Sequence, residues 1–340
     1  PLDWDFNSLL WHSFSAKLSI NIFFDIQIAI LVIITALPAV ILLLNKHKKN
    51  TWENKHKKFI SFLATLLLLG TLIIIYGSFI EPRLIIINQQ KINLTKITEP
   101  IKIVFIADYQ VGKYKQEKFV EKTVEKIIAQ NPDLILFGGD MIDNEIYNEK
   151  EINFLKPLEK LTAKYPVYAI QGNHEYGIGG GKSLRDSNYR VADMSLETKN
   201  YLENIGINFL ENQLTEINIK NQSFYLFGGD DFWANKLNLE PLKNREKDLA
   251  TIALIHNPLA AYAVAKENVD LMLSGHTHGG QIRLPFIGPL GKVDSITPKT
   301  WYQGWNNIDE MKLFVTSGIG ESGTRARLFN PPEIVILTLE

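Results

Sequence analysis

The stretch Ser274–Gln281, SGHTHGGQ, sets two imidazoles, His276 and His278, two residues apart among small neighbours. Such a pair on one loop can offer two nitrogens to metal ions, and the small neighbours let the backbone approach what the rings bind. The chain has 0 cysteines, so thiolate sites and disulfides are excluded and any metal must sit on His, Asp, Asn or Gln. Residues of these types recur in matching positions. Asp108 follows FIA, and Asp140 follows LFGG and is trailed by Asp143. Asn173 and His174 follow AIQG, and His256 follows ALI. A carboxylate such as Asp140 is suited to bridge two ions, which in two-metal sites lie about 3.5–4 Å apart. Two such ions polarise a phosphoryl group, lower the pKa of a water between them and stabilise the oxyanions of in-line displacement.

Taken singly, each residue has an ordinary role. Asp108 and Asp140 could cap a helix or turn, Asn173 beside Gly172 could be a turn residue, and His256 could be a satisfied core histidine. Their joint placement argues otherwise. Of the 7 histidines, His12, His47 and His56 belong to the N-terminal part, and the other four all stand just beyond apolar runs.

Those runs supply the elements that must position the site. Short β-branched segments predict strands at Ile101–Ala107, Leu134–Phe137, Val167–Ile170, Phe224–Phe227, Ile252–Ile255, Leu271–Leu273, Leu313–Thr316 and Ile334–Leu339. Between the first two, KQEKFVEKTVEKIIAQ places apolar residues at helical spacing and ends before Asn131-Pro132. Further helices are expected at Ser195–Asn204 and around Leu259–Lys266. This alternation predicts an α/β domain with a substantial sheet or two stacked sheets. In such sheets, sites form where strands end, because the loops there converge on one crevice.

The first 82 residues read differently. IQIAILVIITALPAVILLL (Ile26–Leu44) and the run Phe59–Ile80 contain no acid or base. Both match the roughly 20 apolar residues that a helix needs to span a hydrocarbon core about 30 Å thick. A membrane hairpin of two transmembrane helices (about 26–44 and 59–80) is therefore expected before a catalytic domain at residues 83–340. The loop between the runs carries Lys46, Lys48, Lys49, Lys55, Lys57 and Lys58. By the positive-inside rule this loop faces the cytoplasm, which sends the catalytic domain to the extracytoplasmic side. Residues 1–20 mix Trp, Phe and Leu with polar positions, which fits an interfacial amphipathic segment or a frayed terminus equally well. Overall, 36 Lys+Arg against 37 Asp+Glu argue against nucleic acid as a partner.

The series Asp108-Tyr109-Gln110, Gly139-Asp140-Met141-Ile142-Asp143, Gly172-Asn173-His174-Glu175, His256 and Gly275-His276-Thr277-His278 resembles the five blocks of calcineurin-like metallophosphoesterases. The resemblance covers about Lys102 to Glu340. GHTHGGQIRLPFIGPL and SGIGESGTRARLFNPPEIVILTL resemble the branch of membrane-associated bacterial phosphodiesterases that includes a UDP-2,3-diacylglucosamine pyrophosphatase. The resemblance implies a four-layer αββα sandwich. It implies one metal held by Asp108, Asp140, His278 and the position of Gln110, and a second held by Asp140, Asn173, His256 and His276. His174 would protonate the leaving oxygen, and Asp143 would orient its imidazole.

The chain departs from the family pattern at Gln110, where histidine is usual, so Gln110 is a metal ligand, a neighbour that leaves a water in the ligand's place, or a residue facing solvent. An amide oxygen is harder and donates more weakly than imidazole, so Mn²⁺ is the expected ion, with Mg²⁺, Fe and Zn²⁺ as alternatives. Arg283, Arg325 and Arg327 are candidates for binding phosphate, because the guanidinium fork matches its oxygens. A structural salt bridge is the commoner role for any one of them, and Arg325 and Arg327 alternate, so one could face the cleft and the other solvent. Trp233 is placed either at the entrance or in the core. GIGGG (Gly177–Gly181) does not make a phosphate loop.

The expected function is a membrane-anchored phosphohydrolase that cleaves a phosphodiester, pyrophosphate or phosphomonoester with dimetal-activated water. A lipid-linked substrate suits a domain held beside the bilayer, and a soluble phosphoester outside the cytoplasm suits the topology. A cytoplasmic nucleotide lipid conflicts with that topology. The alternative is a non-catalytic metal-binding or phosphate-recognition module on the same fold, against which His174 and Asp143 speak.

Overall fold

A computed structural model describes residues 6–144, 149–179, 191–294, 296–323 and 325–340. The chain divides into two compact units, Pro1–Pro82 with Gly323–Ala326, and Arg83–Ser322 with Arg327–Glu340.

The first unit is a helical hairpin of α1 (Phe6–Asn45), the single turn α2 (Trp52–Lys55) and α3 (Lys57–Ile75), followed by a π-turn at Tyr76–Ile80. Two stretches, Phe24–Asn45 (22 residues, mean hydropathy 2.8) and Lys57–Arg83 (27 residues, 2.5), are long and apolar enough to cross a membrane. Their shared face is built from small or short residues. Ala39, Ile60 and Ala64 are fully buried, and Thr71 Oγ1 donates to Thr35 Oγ1 at 2.8 Å across the pair. The outward face is apolar and exposed, as at Ile33, Ile34, Leu37, Phe62 and Leu72. A soluble helix would present polar residues there. Lys46 Nζ donates to Ser61 Oγ at 3.0 Å and Thr51 caps α2, tying down the turn. Within this unit Arg325 pairs with Asp25 (3.0 Å) and lies over the ring of Phe79, 5.4 Å from its centroid.

The second unit is a sandwich of two mixed sheets. The first runs β1 (Ile86–Ile92), β14 (Glu333–Leu339), β2 (Ile101–Ile106), β3 (Leu134–Phe137), β4 (Val167–Ala169), β5 (Asn208–Phe209). The second runs β12 (Gly304–Ile308), β13 (Met311–Val315), β9 (Leu271–Ser274), β8 (Ala250–Leu254), β7 (Gln222–Gly228), β6 (Gln213–Ile219). In the first sheet β2 to β5 are parallel, and β14 is antiparallel to β2. In the second, β13, β9, β8 and β7 are parallel, with antiparallel edges β12 and β6. The parallel strands β3, β8 and β9 are buried at every residue, which is why they read as near-continuous apolar runs.

Ile103, Phe105 and Leu136 of one sheet pack against Phe224, Leu226, Ile252 and Leu273 of the other, forming the inner core. A second cluster fills the outer face of the first sheet, where α4 (Glu117–Ile128) and α6 (Ser195–Asn204) bury Val120, Val124 and Leu202. A third lies under α7 (Ala261–Val264) on the far face of the second sheet. These clusters define the four-layer αββα order expected above.

The predicted strands fall in the two sheets, and the helix Ser195–Asn204 has the expected bounds. Four strands of the two sheets went unread: β1 (IINQQKI), the two-residue β5 (NF), β6 (QLTEINI) and β12 (GWNNI). All lie at sheet edges, where polar residues are tolerated and the apolar period fades. The helix expected at Leu259–Lys266 is a short α-helical turn between two 3₁₀ turns, ending at Asn268 with φ 55°. Gly180 and Gly181 of GIGGG lie outside the described residues, as do residues 1–5.

Candidate metal centre

The predicted residues converge just past the C-terminal ends of β2, β3, β4, β8 and β9. Asp108, Asp140 and His256 are essentially inaccessible, and Gln110, Asn173, His276 and His278 are buried beside them. Asp108, Gln110, Asp140, His276 and His278 all adopt left-handed backbone, with φ between 50° and 71°. Five such residues in adjoining tips mark stored strain, held by the sheets behind them. The tips approach so closely that side chains are barred: a Cβ at Gly275 would come 2.5 Å from Ala107 Cβ and 2.7 Å from Asp108 Oδ2.

Two acid–histidine groups share one carboxylate. Asp140, His256 and His276 form the first and Asp108, Asp140 and His278 the second, with the potential ligand atoms of each within 4.8 Å of one another. His256 Nε2 is 3.1 Å from Asp140 Oδ2 and 3.9 Å from Asp108 Oδ1, and His278 Nε2 is 3.6 Å from Asp108 Oδ1. Each ring is oriented through its other atoms. His256 Nδ1 donates to Gly138 O (2.7 Å) and His276 Nδ1 to Asn173 Oδ1 (2.8 Å). This places the remaining nitrogen of each toward the acids. Asn173 Nδ2 in turn donates to Ile178 O.

The residues fit divalent ions on two counts. First, Asp108 Oδ2, Gln110 Oε1, His276 Nε2 and His278 Nδ1 are buried without a hydrogen-bond partner. Such atoms are costly to leave unpaired, and a cation would satisfy an oxygen or a neutral imidazole nitrogen. Second, the electrostatics are those of a cation site. Burial pushes the Asp108 carboxyl up to about 7 despite the attraction of His256. Burial works against the charge on Asp140 as well, but His256 and His174 overcome it and hold that carboxyl below its ordinary range. Burial alone would keep His256 neutral, yet Asp140, Asp108 and Asp231 raise it to about 10. His276 is pushed well below its usual value by burial and by His256, and His278 to about 3 by burial and Arg327. At neutral pH two imidazoles are therefore neutral and ready to ligate, while the His256 proton offsets the acids.

An incoming cation must displace that proton. Affinity should rise about tenfold per pH unit between pH 7 and 10, and more steeply below about 7, where Asp108 also holds a proton. Mn²⁺ competition titrations across pH check this; a flat profile would contradict it.

Gln110 is 2% exposed, so it does not face solvent. Its Nε2 donates to Asp140 Oδ2 at 3.0 Å. His174 sits at the rim with Nε2 4.0 Å from Asp140 Oδ2. Its Nδ1 bonds the backbone carbonyl of Asp143, so Asp143 meets the imidazole through its main chain rather than the carboxylate expected from sequence. Trp233 is half-buried and sets its ring edge-on to His276, centroids 4.2 Å apart at 85°.

The arginines divide. Arg327 is fully buried and donates to the carbonyls of Ser317, Gly318, Gly320 and Asn330, so its fork is committed to the backbone. Arg325 pairs with Asp25 in the helical unit. The donors of Arg327 are thus taken up by main-chain carbonyls rather than offered to a phosphate. Arg283 is half-buried, with Nη1 donating to Gly279 O at 2.8 Å.

Sequence reading missed three contributors. The Glu175 carboxylate accepts from the backbone N–H groups of Asp140 (3.1 Å), Met141 (2.6 Å), Ile142 (3.3 Å) and Gly172 (2.8 Å), locking two site loops together. Ser322 Oγ lies 3.4 Å from His174 Nε2. Gln281 clamps Ser322 through its backbone N–H (2.8 Å) and carbonyl (2.9 Å). Glu175 stood within a quoted motif without a role, while the pairing of Gln281 with Ser322 spans 41 residues and left no local signal.

Glu175→Ala would leave four buried donors unpaired, at about 1–3 kcal/mol each before relaxation. A large drop in Tm is expected, measured by thermal unfolding; an unchanged Tm would remove Glu175 from the scaffold.

Comparison with known proteins agrees with the geometry. The profile of the calcineurin-like phosphoesterase family matches residues 101–280. The chain is 33% identical over 243 residues to Phosphodiesterase YaeI of Escherichia coli, covering 71% of this chain and 82% of that one. It is 32% identical over 261 residues to an uncharacterised metallophosphoesterase of Helicobacter pylori, covering 74% of this chain but 63% of the relative. It is 30% identical over 271 residues to the uncharacterised metallophosphoesterase YkuE of Bacillus subtilis, covering 78% and 89%. The chain belongs to the calcineurin-like metallophosphoesterase family and is a hydrolase of phosphoester bonds.

Proposed function

We propose that the protein is a membrane-anchored dimetal phosphodiesterase, and the observation that carries this is the sharing of Asp140 between two acid–histidine groups. One ion would be held by Asp108, Asp140, His278 and Gln110 Oε1, and the other by Asp140, Asn173, His256 and His276. When bound, the pair supplies Lewis acidity toward a phosphoryl oxygen and lowers the pKa of a water. The protein's own groups do the rest. The Asp143 carbonyl holds the His174 proton on Nδ1, which leaves Nε2 to deliver a proton to the departing oxygen. Asp140 Oδ2 lies 4.0 Å from that nitrogen. Of the three candidate arginines, Arg283 is the one assigned to the substrate phosphate.

Anchoring is supported by the two apolar helices and their exposed apolar faces. The lysine-rich turn favours an extracytoplasmic catalytic unit. A reporter fused after Glu340 should be active only outside the cytoplasm. The substrate class best suited to this arrangement is a lipid-linked phosphodiester or pyrophosphate, with a soluble extracytoplasmic phosphoester second.

The full chain in detergent with Mn²⁺ should hydrolyse bis-p-nitrophenyl phosphate. A protein that binds two ions yet turns nothing over would instead be a binding module. Gln110→His should tighten metal binding at one site only, because imidazole is the stronger donor. A two-site Mn²⁺ titration that leaves both affinities unchanged would remove Gln110 from the ligands.

A further inference from the structure

Beyond the acid–histidine groups, a set of exposed apolar residues of the catalytic unit clusters on one feature. β10 (Arg283–Leu284) and β11 (Gly288–Pro289) form a short hairpin whose turn carries Phe286 (109% exposed) and Ile287 (68%), with Leu290 (52%) just beyond. Phe329 (60% exposed) follows Leu328, whose carbonyl accepts from Arg283 N at 2.9 Å. Phe286 and Phe329 both hold left-handed backbone, φ 66° and 52°. Bulky residues rarely adopt it, and such strain persists mainly where function holds it. Here the strain turns two rings into water rather than into the core.

Three observations point to lipid as what covers them. The same chain carries two helices of membrane length. Arg325 pairs with Asp25 at the start of one apolar stretch and lies over Phe79 near the end of the other. Phe329 follows Arg325 by only four residues, so the chain passes directly from the helical unit to this aromatic residue. Finally, exposed Lys292 and Lys299 flank the hairpin, Lys299 donating to Pro289 O at 3.1 Å. Cations beside aromatic and aliphatic side chains suit the headgroup boundary of a bilayer.

We propose that the tip of the β10–β11 hairpin, with Phe329, dips into the bilayer interface and gives the catalytic unit a lipid contact of its own. This rests on the membrane reading of the two helices. β10 begins five residues after His278, so the metal-capable loop runs directly into the lipid-contacting hairpin. That continuity suits a phosphoester carried on a lipid.

With 0 native cysteines, the full chain accepts a single reporter cleanly. An environment-sensitive dye is placed at Phe286→Cys, at Leu72→Cys on the exposed face of α3, and at Glu310→Cys in an exposed turn. Each protein is reconstituted into phosphatidylcholine–phosphatidylglycerol vesicles with nitroxides at shallow or deep acyl positions. The dye at 286 should emit to the blue of the dye at 310 and lose intensity to the shallow nitroxide, while the dye at 72 loses more to the deep one. Emission at 286 matching that at 310, with quenching only at 72, overturns the proposal and leaves the membrane reading standing. A blue shift at 286 without quenching, varying with the protein-to-lipid ratio, assigns the patch to a second copy and also overturns it. No quenching at 72 or 286 overturns the membrane reading together with the proposal.

Discussion

His174→Ala lowers kcat by about 10²–10⁴-fold while both metal ions stay bound, the expected result if His174 delivers the proton to the leaving oxygen. The truncation is clean because the ring is not what organises the ligands. Asp140 Oδ1 is fixed by the backbone N–H of His174 at 2.9 Å, and Asn144 Nδ2 bonds the His174 carbonyl at 2.8 Å; both survive in alanine. The loss should grow with the pKa of the leaving group. An aryl ester such as p-nitrophenyl leaves with little help, whereas an alkyl ester departs poorly without its proton. A series of phosphodiesters with graded leaving groups checks this. A loss that is uniform across the series, or one accompanied by metal loss, would assign His174 to positioning instead.

Asp140→Asn has the largest expected effect. Its carboxylate stands in both acid–histidine groups and lies near three other side chains: His256 at 3.1 Å, Gln110 at 3.0 Å and His174 at 4.0 Å. Asparagine keeps the shape and removes the charge. The substitution also removes the main influence that keeps His256 protonated, so the charge balance of the whole site changes. Metal content should fall at both sites. The rate should fall by about 10³-fold or more, since several kcal/mol of charge stabilisation are lost and roughly 1.4 kcal/mol is tenfold. Elemental analysis beside kcat measures both. A variant that retains two ions and most of its activity would show that Asp140 does not bridge them.

The site was more legible than its surroundings because of where the residues fall. Asp108, Asp140, Asn173, His256 and His276 each follow a largely buried parallel strand, and such strands announce themselves as short, mostly apolar runs. The edge strands β1, β6 and β12 have one side open and carry Gln, Asn, Glu and Lys in their place, so their pairing could not be read from local pattern. Which arginine takes a structural role was illegible for a related reason. RAR reads as alternation, but Arg327 is drawn inward by four backbone carbonyls and Arg325 outward by Asp25, a residue 300 positions away. Asp143 shows the same limit: its position could be read, but not that its carbonyl rather than its carboxylate meets His174. Long-range hydrogen bonds of this kind are set by packing and leave no spacing in the chain.

The most direct measurement is anomalous diffraction from the full chain grown with Mn²⁺. Two peaks are predicted, one among Asp108, Asp140 and His278 and the other among Asp140, His256 and His276, with Asp140 touching both. A catalytically active crystal form with no ion at these side chains, or with Asp140 bound to neither, would contradict it.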